Sequence, residues 1–136
     1  MTGKDLLLSL KDECLTIGHY NKIKKIYQSF LESLNETEII NHFHHMVKKS
    51  DGLNCFEICF FNAQFIHDIT ISPKCSTHTS LKITSINMVS ITTDTENANF
   101  TFEIKSNSNS LVYTFELEKL DEVCKIKNQI LALSNS

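Results

Sequence analysis

The chain has 136 residues, 41% of them hydrophobic and 21% charged, with a formal net charge of −3. That is the size and make-up of one domain around one core, which makes two independent domains unexpected. The slight acidity offers no general attraction to nucleic acid or anionic lipid, and every basic residue is Lys, so no guanidinium fork exists to grip phosphates or guanine edges.

The start, "MTGKDLLLSLKDECL", holds only a short apolar cluster broken by Ser9, Lys11, Asp12 and Glu13, and reads as neither a signal peptide nor a spanning helix. Five cysteines, an odd number, are then simplest as reduced thiols, and the expected location is the cytoplasm. The Lys, Ile and Asn bias suggests an AT-rich genome, such as that of a low-GC bacterium or its phage.

In chain order, Thr2 is a candidate N-cap with Asp5 three positions on, and Leu6, Leu10, Cys14 and Ile17 recur at helical spacing up to Gly18. Ile23, Ile26, Tyr27, Phe30 and Leu34 make the stripe of a second helix. Ile39, Ile40, Phe43, Met46 and Val47 predict a third, stopped by "SDG" at 50–52. Beyond Gly52 the period becomes two. Phe56, Ile58 and Phe60 share one face of a strand, and Phe65, Ile69 and Ile71 share one face of the next. "SPKCSTHTS" around Pro73 reads as a loop. "LKITSINMVSITTD" is extended, with a slip of parity near Ser85 to Met88 that suggests a bulge. Phe100, Phe102 and Ile104 alternate in a further strand, as do Leu111, Tyr113, Phe115 and Leu117, and Leu120, Val123, Ile126, Ile130 and Leu133 mark a closing helix.

The expected fold is therefore α+β: N-terminal helices packed on an antiparallel meander sheet of about five strands, closed by a C-terminal helix. A single domain would span 1–136, with a helical part over 1–50, the sheet over 53–118 and the last helix over 119–134. Because Cys55, Cys59 and Phe61 oppose the Phe56, Ile58 and Phe60 face, the first of these strands must be covered on both sides. The predicted cover is the N-terminal helices.

From Leu81 onward the chain resembles the C-terminal half of a pleckstrin-homology-like domain. An "LKITSI" type strand precedes "NFTFEIK" and "LVYTFELE" and then the capping helix "LDEVCKIKNQILAL". The resemblance covers residues 81–135 and implies a bacterial scaffold of that type. Two features of the family are missing, the tryptophan common in the closing helix and the basic cluster that lipid-binding members use for phosphoinositides. The chain is also similar in make-up to the small proteins common in low-GC Gram-positive bacteria and their phages.

Candidate chemistry is sparse. On a helix, His42 and His45 would be i, i+3 neighbours able to share a metal, while His44 points elsewhere and Lys48 and Lys49 repel a cation. Cys75 and His78 have ligand spacing and could be joined by His67 or by the histidines of the predicted helix, His42, His44 and His45. His67 sits at an apolar position between Phe65 and Ile69, which fits a hydrogen-bonded core histidine. Cys55 and Cys59, four apart on a strand, are separated by about 13 Å and cannot bond or chelate together. There is no glycine-rich phosphate loop and no Gly-x-Ser-x-Gly elbow. The expectation is a small non-enzymatic protein-interaction protein, a regulator or inhibitor with a protein partner, using no nucleic acid, no membrane, no metal and no cofactor. The alternatives are a thiol- or metal-dependent enzyme using Cys75, His78 and His67, and a lipid-headgroup module.

Overall fold

A computed structural model describes residues 1–10, 25, 28, 29, 38–48, 52–107 and 109–135. Its contacts divide the chain into two units, Met1–Asn62 with His67–Ser80, and Ala63–Ile66 with Leu81–Ser136.

The first unit begins with helix α1, Gly3–Ser9, started by the predicted capping box. The Asp5 amide donates to Thr2 Oγ1 at 3.2 Å and the Thr2 amide donates back to Asp5 Oδ2 at 3.0 Å, so two of the orphan donors of the first turn are satisfied. Leu6 and Leu10 are buried at i, i+4 spacing. Strands β1 (Asn41–Lys48), β2 (Asn54–Phe61), β3 (Phe65–Ile71) and β4 (Ser76–Lys82) follow, hydrogen-bonded in that order into one sheet. β1 and β2 are antiparallel, from Asn41 opposite Phe61 to Lys48 opposite Asn54. Gly52, two residues before β2 and at φ +81°, takes a left-handed conformation, which glycine adopts without steric cost.

The second unit holds β5 (Ile86–Asp94), β6 (Asn99–Ser106) and β7 (Ser110–Glu116) in a three-stranded antiparallel sheet, then helix α2, Leu120–Ser134. A 3-10 turn, Ile83–Ser85, precedes β5, and the β5–β6 register shifts between Ile86 and Met88, where the parity of the sequence slips. One face of the sheet is apolar across all three strands. Ile91, Phe102 and Tyr113 lie in one row of partners and Phe100 faces Phe115, with ring centroids 6.4 Å apart for Phe102 and Tyr113 and 5.5 Å for Phe100 and Phe115. α2 buries Val123, Ile126 and Ile130 and packs against β5. Asp121 and Glu122 stand exposed in its first turn, where the helix dipole favours acids.

The predicted fold class needs correction. The described residues form seven strands in two sheets, and among them no run of N-terminal helices lies on the sheet. Residues 41–48, predicted as the third helix within a helical part over 1–50, are strand β1. The apolar positions Ile39, Ile40, Phe43, Met46 and Val47 do recur at helical spacing, but an eight-residue antiparallel ladder with β2 takes up the backbone groups on the side of the segment that faces β2 and holds it extended at the edge of the sheet. Residues 76–80, read as loop, form most of β4, which runs on through Leu81 and Lys82 of the stretch read as extended. The apolar stripe of the second predicted helix, Ile23 to Leu34, lies outside the described residues, as do Cys14 and Ile17 of the first. The two-sided cover expected for β2 is present: Cys55 is 1% exposed and Cys59 0%, with Phe56, Ile58, Phe60 and Phe61 also buried.

Candidate functional site

The four-stranded sheet gathers histidines on one face. Opposed residues of an antiparallel pair share a face, so His42 lies beside Phe60, His44 beside Ile58 and Met46 beside Phe56. Phe60 in turn stacks on His67 of β3, with centroids 4.9 Å apart and planes 26° apart. His67 meets His78 of β4 at 5.2 Å between centroids. A row therefore crosses all four strands: His42, Phe60, His67, His78. His44 extends it along β1, with ring centroids 6.0 Å from His42 and 6.0 Å from Phe56. His45 is on the opposite face, where its Nε2 lies 3.8 Å from Glu57 Oε2.

The expected pairing of His42 with His45 belonged to a helix, and the strand separates them. On a period of two it is His42 and His44 that share a side.

The tightest cluster lies across β3 and β4. His67 Nδ1 is 3.1 Å from His78 Nε2 and 2.9 Å from Ser80 Oγ, and Ser80 Oγ is 3.4 Å from His78 Nε2. Three features of the local sequence set it. His67 occupies an apolar-parity position of β3 and is 9% exposed. His78 and Ser80 are two apart on β4 and so share a face. Phe60 supplies a flat wall that fixes the His67 ring. Burial, and then the neighbouring His78, push the His67 pKa from 6.5 down to about 4. Burial also lowers that of His78. Both rings are neutral near pH 7, and each then carries one donor and one acceptor nitrogen.

Of the residues singled out in the sequence, His67 and His78 are brought together. Cys75 is exposed in a tight turn in which Ser72 Oγ donates to the Cys75 carbonyl at 2.7 Å and accepts from its amide at 3.0 Å. Among the described residues, no three His, Cys, Asp or Glu side chains are grouped so as to hold a metal ion, so Cys75 does not complete a set with the two histidines. Ser80 was missed. The signal for it was the alternation His78-x-Ser80, hidden because the segment lacks apolar residues and reads as loop.

A second surface is the outward side of the three-stranded sheet. Thr92, Thr101 and Thr114 are register partners in one row across it, and the next row is Ser90, Glu103 and Val112. Val112 is 53% exposed and Met88 38%. Among the described residues no helix is long and apolar enough to cross a membrane. Compared with known proteins, the chain matches no family model and no curated relative.

Proposed function

We propose that the chain is a small non-enzymatic interaction protein, a regulator or inhibitor of a protein partner, and that the outward side of the β5–β7 sheet meets that partner. The observation that carries it is the character of this surface. A sheet with one buried side ordinarily sets charged and polar residues on the other. Here Thr92, Thr101 and Thr114 form an uncharged row of β-branched side chains beside an exposed Val112, with Met88 exposed on the same side, and Glu103, Lys105, Asp94 and Glu116 share that side around them. Exposed apolar and β-branched side chains within a charged surround are the make-up of a small polar-rimmed contact surface.

The enzyme alternative is less well supported by the geometry. His67, adjacent to the Ser80 hydroxyl, has lost basicity by burial, and a base of pKa about 4 is poorly matched to deprotonating a hydroxyl near neutrality. The order β5, β6, β7, α2 follows the order quoted for the pleckstrin-homology-like resemblance and supports keeping that scaffold in the proposal. Thiols at Cys75 and Cys124 support a cytoplasmic setting.

The test is a photo-cross-linking side chain placed at Val112 and, as a control, at the exposed Lys125 of α2, in cells making the chain at its native level. A discrete protein adduct from position 112 that is absent from 125, and is lost in competition with the unlabelled parent but not with Val112→Lys, supports the reading. Equal adducts from both positions, or none from 112, overturn it. Sedimentation with anionic vesicles in place of a protein adduct would assign the surface to lipid instead.

A further inference from the structure

We propose that His67, His78 and Ser80 form a binding site for one borderline divalent cation, zinc foremost, on the face shared by β3 and β4. The argument begins with the three donor atoms. Their separations, 3.1, 2.9 and 3.4 Å, make a nearly regular triangle. Around a tetrahedral zinc with bonds of about 2.0–2.1 Å, donor atoms stand about 3.3–3.4 Å apart. The cluster is thus one face of such a tetrahedron, slightly contracted, and opening it needs side-chain adjustments of a few tenths of an ångström.

The hydrogen-bonding alternative uses these atoms less fully. His67 Nδ1 faces two partners at once, and one ring nitrogen offers either one proton or one lone pair. A cation at the centre of the triangle engages a lone pair from each of the three atoms. It requires only tautomers, with the proton of His67 on Nε2 and that of His78 on Nδ1, so neither ring must lose a proton near neutral pH.

Preorganisation favours the same reading. His67 is buried against the Phe60 ring and loses little side-chain freedom on binding, while the exposed His78 and Ser80 are brought beside it by the pairing of β3 and β4 in one sheet. The remaining coordination positions belong to solvent or to a donor brought by a partner. Two imidazoles and a hydroxyl make a weaker set than the three or four charged or imidazole ligands of structural zinc, which sets the expected affinity in the micromolar class.

The experiment is calorimetric titration of zinc sulfate into the untagged, chelator-treated full chain, with imidazole proton NMR alongside. One zinc per chain is expected, with the His67 and His78 ring signals moving together and those of His44 unmoved. His78→Ala, on the more exposed strand, should weaken binding by roughly tenfold or more. Ser80→Ala should weaken it by less, and His44→Ala and Cys75→Ser should leave it unchanged. Cobalt(II) substituted for zinc should show a spectrum free of thiolate charge transfer. Absence of saturable binding up to millimolar zinc, parent-like affinity in His78→Ala, or loss of binding in Cys75→Ser would each overturn the site. The NMR readout uses the parent chain, so it decides the matter even where a substituted chain folds poorly.

Discussion

Acid sensitivity of the first unit follows from the burial of His67, and its size can be worked out. The ring titrates at 6.5 when unfolded and at about 4 when folded. Between those values the unfolded chain binds the extra proton and the folded chain does not, so stability is full above about pH 6.5 and falls as the pH drops toward 4. Integrating one such group from about pH 7.5 to about pH 5 gives a loss near 2 kcal/mol, and solvent screening at the ring edge reduces this to about 1–2 kcal/mol. His78, shifted in the same direction, adds to it. The window is separable from that of the carboxylates. Asp5, held by the Thr2 amide and hydroxyl, and Asp94, held by the Asn97 side chain and amide, both have pKa values below 3.8, so their contributions are lost only in stronger acid. Urea unfolding of the parent and of His67→Gln at about pH 7.5, 6 and 5 measures the effect, the variant retaining a polar side chain but no titration there. The parent should lose more stability than the variant by about 1–2 kcal/mol over this range. Parallel losses in the two proteins, or an NMR titration of His67 near its ordinary 6.5, would refute the reasoning.

Three other outcomes are expected. Phe102, 0% exposed between Ile91 and Tyr113, should on change to Ala cost about 3–5 kcal/mol in chemical denaturation; a parent-like midpoint would mean that the strand faces the other way. Thiol labelling of the native chain, with sites assigned by mass spectrometry, should modify exposed Cys75 quickly and buried Cys55 and Cys59 only through local opening. Labelling of the buried pair at the rate of Cys75 would contradict the two-sided cover of β2. Ala98, which adopts φ 54° in the turn between β5 and β6, should tolerate Ala98→Gly with a gain of about 0.5–1 kcal/mol, because Gly occupies the left-handed region without the Cβ clash; a lowered thermal midpoint would count against it.

Much of the second unit was legible from the sequence because its signals are local. Phe100, Phe102 and Ile104 alternate cleanly, Leu111, Tyr113 and Phe115 do the same, and the parity slip near Ser85 to Met88 coincides with the register shift of β5. Val123, Ile126 and Ile130 mark the closing helix by their period alone. The Thr2 and Asp5 pair likewise announced its capping box, since that interaction spans three residues and needs no partner from elsewhere.

What only the tertiary structure decided lies in the first unit. "NHFHHMVK" carries apolar residues at a helical period, yet it is a strand, because the ladder with β2 is a long-range interaction that local periodicity does not encode. That choice turned His42 and His44 to one side and His45 to the other. "STHTSLK" has no apolar alternation to betray it, and becomes β4 through its place at the edge of the sheet. His67 and His78 were visible as isolated candidates, eleven positions apart. Their convergence with Ser80, and the loss of basicity that burial imposes, exist only once β3 and β4 lie side by side, because donor separation and desolvation are properties of space rather than of sequence distance.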